Sequence, residues 1–198
     1  IVHNGIIENY KQIKDFLTSE GYNFVSETDT ETVAKLLDYY YTDDPIETIT
    51  KVLNEIKGSY ALGILFRDRP DRIYAVRKDS PLIVGVGEGE NFLASDVPAI
   101  MKYTRDYMLL EQNEIAVVKA DGETVYNTHR EVVKKQVLTA DWDIDAAEKG
   151  GYEHFMLKEI HEQPKSIRET IGFKLNKENV ELENIHFTKE LLQSINKI

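Results

Sequence analysis

No cysteine occurs anywhere in the 198 residues. Disulfides, thiolate metal sites and a cysteine nucleophile are therefore excluded from whatever these residues do by themselves. Positive charge is also scarce. Lys and Arg number 24 against 35 Asp and Glu, a formal net charge of −11, which argues against nucleic acid or an anionic membrane as a partner. No apolar run approaches the roughly 20 residues of a membrane helix, and there is no internal repeat or low-complexity tract. The opening Ile1-Val2-His3-Asn4-Gly5 is neither an initiator methionine nor a signal peptide. It reads as the end of a strand entered from an earlier segment, so the expectation is a fragment of a longer protein. What remains is an ordinary globular composition, long enough for one large domain or a domain plus a tail.

Hydrophobic periodicity divides the chain into regions. Ile6, Tyr10, Ile13 and Leu17 recur at helical spacing, which predicts a helix stopping near Gly21, with a short strand over Tyr22 to Val25. Thr28-Asp29-Thr30-Glu31 fits a capping box for a second helix carrying Val33, Leu36, Leu37 and Tyr40. Asp43-Asp44-Pro45 opens a third, with Ile46, Ile49, Leu53 and Ile56 on its apolar face. From Gly58 the period changes to two. Strands are predicted over Tyr60 to Phe66, Arg72 to Val76, Leu82 to Val86, Asn91 to Ala94, Tyr107 to Leu110, Glu114 to Lys119 and Thr124 to Tyr126. Asp121-Gly122 marks the last hairpin, and Val97 to Lys102 reads as one or two helical turns. An acidic connector with Asp141, Asp143, Asp145 and Glu148 ends in a glycine pair. A helix is then predicted over Glu153 to Glu162, ending ahead of Pro164, followed by helical pieces over Ser166 to Ile171 and Thr188 to Ile195. Helices, then hairpin-linked strands, then helices again indicate an α+β layered domain.

Taken one at a time, the candidate motifs have plain readings. His3-Asn4-Gly5 reads as a turn; its sharper reading is an oxyanion site, with an Asn amide and a neighbouring backbone N–H aimed at a developing negative oxygen. Asp29 reads as an acidic residue favourably placed in the first turn of a helix; its sharper reading is a carboxylate that binds an α-amino group. Gly85-Val86-Gly87-Glu88-Gly89 lacks the spacing and the following helix of a dinucleotide fingerprint and reads as a hairpin. His154, Glu159, His161 and Glu162 share one predicted helix, but Lys165 stands where H-E-x-x-H would need its second histidine. A solvated or interface face is the reading there.

Together the segments resemble the class II glutamine amidotransferases. Val2-His3-Asn4-Gly5-Ile6-Ile7-Glu8-Asn9, Ser26-Glu27-Thr28-Asp29-Thr30-Glu31, Gly58-Ser59-Tyr60-Ala61, Ser80-Pro81-Leu82 and Glu88 to Asp96 each look like a segment of that family. Lys149 to Pro164 is similar to the junction between glutaminase and sugar-isomerase domains in the glucosamine-6-phosphate synthases. The resemblance is strong from Ile1 to about Thr170 and looser beyond.

The resemblance implies a four-layer αββα, N-terminal-nucleophile hydrolase-like glutaminase fold, incomplete at its N-terminus. Residues 1–148 would be the C-terminal portion of that domain, and residues 149–198 the linker and start of an isomerase domain. It assigns Asn4 and Gly5 to the oxyanion hole and Asp29 to the glutamine amino group. The nucleophilic cysteine and the arginine that holds the glutamine carboxylate would lie ahead of Ile1, so the chain alone is expected to be inactive and poorly folded. The implied partners are glutamine, and fructose 6-phosphate through an isomerase domain outside these residues. The family carries no metal, nucleotide or other cofactor for this chemistry, and the implied full-length protein is a cytoplasmic homodimer without nucleic-acid or membrane partners. Two alternatives stay open: another class II amidotransferase with a different acceptor, and a non-catalytic glutamine-binding module.

Overall fold

The computed structural model describes residues 1–141, 150–171, 175–176, 179–180 and 194. The chain divides into two compact units, Ile1–Ile144 and Asp145–Ile198. The first unit opens with strand β1 (Val2–Ile7), followed by helices α1 (Tyr10–Ser19), α2 (Asp29–Tyr39) and α3 (Pro45–Glu55). Strands β2 (Gly58–Ile64), β3 (Arg72–Lys78), β4 (Ile83–Val86), β5 (Asn91–Ala94), β6 (Asp106–Leu109), β7 (Ile115–Lys119), β8 (Gly122–Tyr126), β9 (Val132–Val133) and β10 (Leu138–Thr139) follow.

The strands make two antiparallel sheets, a larger one in the order β1-β2-β3-β7-β8-β9 and a smaller one in the order β10-β6-β4-β5. Side-chain alternation along the larger sheet separates two cores. Tyr60, Leu62, Tyr74, Val76, Ile115 and Val117 point toward the helices and pack with Leu17, Val33, Leu36, Ile49 and Val52. The opposite face carries Ala61, Ala75 and Ala116, small enough for the smaller sheet to approach with Val84, Met108 and Leu110. The outer face of the smaller sheet buries Ile83 against Val97, Ile100 and Met101. That last covering is a set of turns closed by Ile100 N–H to the Val97 carbonyl and Tyr103 N–H to the Ile100 carbonyl, not a regular helix. The order of layers is thus helices, larger sheet, smaller sheet, turns.

Local chemistry accounts for the helix starts. Thr28 Oγ1 accepts from Glu31 N–H at 3.3 Å, and Asp44 Oδ1 accepts from Ile46 and Glu47 N–H ahead of Pro45 in the first turn of α3. The glycine-rich run is a β4–β5 hairpin, its bend held by Gly87 N–H donating to Asn91 Oδ1.

Three expectations are corrected. Ile6 belongs to β1 and is exposed, because its alternation with the buried Ile7 outweighs a helical spacing it shares by coincidence. Tyr22 to Val25 forms no strand: Tyr22 N–H goes to the Leu17 carbonyl and Val25 N–H to the Glu31 carboxylate, so those donors are not free to join a ladder. In the second unit, helix α4 (Phe155–Ile171) runs through Pro164. The bias against helix ahead of a proline is a preference, and this exposed helix tolerates the lost bond at one turn. The second unit also holds a small antiparallel pair, β11 (Leu175–Asn176) with β12 (Asn179–Val180). The interior of the acidic connector lies outside the described residues, as does the helix expected over residues 188–195 apart from Ser194, which is helical.

Candidate active site

His3-Asn4-Gly5 is not a turn. It lies inside β1, an edge strand paired only with β2 among the described residues. Alternation sends the His3 and Ile7 side chains inward, where the imidazole is 2% exposed and Ile7 fully buried. Val2 and Ile6 point outward, and Asn4 is exposed. The backbone alternates as well. Glu8 N–H donates to the Lys57 carbonyl, so the N–H groups of Ile7, Gly5 and His3 turn away from β2 toward the open edge.

Two glycines make this edge possible. Gly5 has φ +123°, and a Cβ there would fall 2.1 Å from the Ser59 carbonyl oxygen. Gly58, with φ +122°, would place a Cβ 2.2 Å from the Ile6 carbonyl oxygen. No side chain fits at either position without moving main chain. The missing Cβ lets β1 lie against β2 at this point, while the Gly5 N–H faces the open edge by the alternation above.

The first residue of α2 meets this edge. Asp29 Oδ2 accepts from Ile7 N–H at 2.9 Å, and Asp29 Oδ1 lies 3.5 Å from His3 Nδ1. The same Nδ1 is 3.2 Å from Thr30 Oγ1. The carboxylate keeps 22% of its surface exposed, so it retains acceptor capacity toward solvent. Asp29 is thus more than a charge suited to a helix dipole: it links α2 to β1.

The segment before α2 is fixed by Glu31. Its carboxylate accepts from Ser26 Oγ at 2.7 Å, Ser26 N–H at 2.6 Å and Val25 N–H at 3.0 Å, with Lys35 3.4 Å away. The Ser26 hydroxyl, then the Val25 N–H, hold its pKa down to about 2. The capping box is therefore only half formed. Thr28 caps Glu31, but Glu31 reaches past Thr28 to Ser26 and Val25, and Thr28 N–H turns to Ser26 Oγ.

The structure brings Asn4, Gly5 and Asp29 onto one strand edge. His3 joins them, and the motif reading missed it; the signal available was its two-residue alternation with Asn4. A cleft of about 240 Å³ between α2 and the end of β2, lined by Tyr41, Phe66, Arg67 and Asp68 among others, includes none of the site residues. The histidines of the second unit do not share a helix face. His154 precedes α4 and lies 3.8 Å from Glu153, while His161 stacks on Tyr152 with ring centroids 5.2 Å apart. Among the described residues no cluster has the make-up of a metal site, and no helix is long and apolar enough to cross a membrane.

The profile of the family described as "Glutamine amidotransferase domain" matches residues 1–102. Glutamine–fructose-6-phosphate aminotransferase (isomerizing) of Caldanaerobacter subterraneus subsp. tengcongensis is 55% identical over the whole of this chain, and that of Clostridium tetani 50%. The Thermotoga maritima enzyme of the same name is 39% identical, also over the whole chain. The chain spans only 33% of the length of each of these relatives. Among solved structures, the glutamine phosphoribosylpyrophosphate amidotransferase of B. subtilis, complexed with ADP and GMP, superposes with a TM-score of 0.57. It is 22% identical, over 66% of this chain and 29% of its own. A second, titled the allosteric regulatory enzyme of purine biosynthesis, gives a TM-score of 0.56 at 23% identity, over 64% and 27%. At these identities the likeness is one of fold.

Proposed function

Because the chain belongs to the glutamine amidotransferase family and has its class II, N-terminal-nucleophile-like fold, we propose that it is the glutaminase portion of a glucosamine-6-phosphate synthase. The reaction hydrolyses the amide of glutamine and passes the ammonia to fructose 6-phosphate, yielding glutamate and glucosamine 6-phosphate. The acceptor follows the printed names of the relatives that align over the full chain. Residues 1–148 are the C-terminal part of the glutaminase domain, and 149–198 the linker and beginning of the isomerase domain. The whole protein is a cytoplasmic homodimer in this reading.

One observation carries the site assignment: Asp29 is docked through Ile7 N–H on the same open edge toward which Gly5 N–H points. Ile7 and Gly5 are two strand residues apart, about 7 Å. An extended glutamine spans a comparable length from its amino nitrogen to its amide oxygen. With the α-ammonium group on the free face of Asp29, the amide oxygen reaches the Gly5 N–H and the exposed Asn4 amide. These donors receive the negative charge that builds when a nucleophile adds to the amide carbon.

The nucleophile of this chemistry is a thiolate, and the chain has no cysteine. Residues outside the chain supply it, and the chain alone is inactive. The test is glutamate release by the full-length protein carrying this chain, with and without fructose 6-phosphate. Asn4→Ala lowers kcat about 10²–10³-fold, the worth of one oxyanion donor. Asp29→Asn raises KM for glutamine and leaves kcat nearer to wild type. Full activity in Asn4→Ala would remove Asn4 from the oxyanion site, and absence of any stimulation by fructose 6-phosphate would remove that sugar as acceptor.

A further inference from the structure

We propose that His3 is a positioning residue for substrate recognition: through its Nδ1–H it fixes the Asp29 carboxylate in the orientation that receives the α-ammonium group of the amino-acid substrate. This rests on the reading of Asp29 given above. The imidazole is 2% exposed, and its Nε2 is buried with no hydrogen-bond partner among the described residues. Only Nδ1 faces polar atoms: Asp29 Oδ1 at 3.5 Å and Thr30 Oγ1 at 3.2 Å. In this proposal the proton sits on Nδ1, which donates toward these two oxygens, and Nε2 carries the lone pair.

Asp29 is then held at two points. Ile7 N–H donates to Oδ2 at 2.9 Å, and the His3 ring stands beside Oδ1 with Nδ1 3.5 Å away. Either contact alone leaves the carboxylate free to rotate about its last torsion, which is broad for an sp³–sp² bond. Both together set its plane and aim the exposed lone pairs along the open edge of β1. His3 needs no contact with the substrate, since it acts through Asp29. The sequence also places it next to Asn4, so one two-residue alternation sends an oxyanion donor outward and the support of the amino-group site inward.

The experiment compares kcat/KM for L-glutamine with that for glutaric acid monoamide, which keeps the amide and one carboxylate and lacks the amino group. It uses the full-length protein. Wild type prefers glutamine. Asp29→Asn lowers that preference, and His3→Leu lowers it roughly tenfold or more, the order of one hydrogen bond to a charged group. His3→Asn, whose amide nitrogen sits near the Nδ1 position, keeps most of the preference. His3→Gln, whose amide reaches toward the Nε2 position, loses it. If Asp29→Asn loses the preference while His3→Leu keeps it, His3 is not a positioning residue. If Asp29→Asn keeps the preference, the assignment of Asp29 itself fails and takes this inference with it. If His3→Leu does not fold, the Asn and Gln variants decide, and retention by Gln with loss by Asn overturns the proposal.

Discussion

Thr32 is fully buried in α2, and its hydroxyl has no hydrogen-bond partner among the described residues. Such a group has given up its bond to water and gained nothing in return. Valine has the same branched shape without the polar atom. Thr32→Val therefore stabilises the domain by about 1 kcal/mol, seen as a higher urea midpoint at unchanged slope. A lower midpoint would mean that the hydroxyl has a partner after all. The site residues show the opposite economy. Asn4, Gly5 and Asp29 were legible as candidates through the resemblance of their segments to a family, since each segment by itself reads as ordinary turn or helix-start chemistry. His3 was not, since a histidine in an apolar strand is ordinary and only the register of β1 reveals that its ring points at Asp29.

At the scale of elements, the N-terminus of α2 is where local bonding and acid sensitivity meet. Glu31 titrates at about 2 in the folded chain against an ordinary value of 4.5, because Ser26 Oγ and Val25 N–H bond its ionised form. The depressed value means the folded state binds the proton more weakly than the unfolded state does. The stability this contributes is present in full above about pH 4.5 and is lost as pH falls toward 2. In Glu31→Gln the fall in stability between pH 4.5 and 2 is shallower than in wild type, as followed by thermal melting across that range. Equal slopes would show that these bonds do not respond to ionisation. The same element explains where sequence reading stops. Caps, proline at a helix start and strand alternation are nearest-neighbour chemistry, and they located α2, α3 and β2 to β8 within a few residues. Tyr22 to Val25 looked like a strand because its composition suits one, yet the Tyr22 N–H is taken by the end of α1 and the Val25 N–H by a carboxylate six residues ahead. The short strands β9 and β10 were missed for a related reason: two residues carry too little pattern, and only pairing with β8 and β6 defines them.

At the scale of the molecule, the larger sheet ends at β1, whose outer edge carries no strand among the described residues. Ile7 N–H is capped there by Asp29, while alternation leaves the Gly5 and His3 N–H groups facing out. Val2 is 69% and Ile6 65% exposed beside them. An edge with free donors and apolar neighbours is a template for another strand. The proposed site has a use for this openness, since a fully paired β1 would have no N–H to offer a substrate. In the function proposed above, this edge serves chemistry only with a nucleophile beside it, and the chain has no cysteine to supply one. The 198-residue chain prepared alone releases no glutamate from glutamine and self-associates as its concentration rises at physiological salt, where its net charge of −11 is screened beyond about 8 Å. Ile6→Lys puts a charge on the edge and shifts the chain toward monomer, in the way natural edge strands are protected. Sedimentation across a concentration series checks both statements. A wild-type chain that stays monomeric throughout would show that the open edge of β1 is already protected by its own geometry.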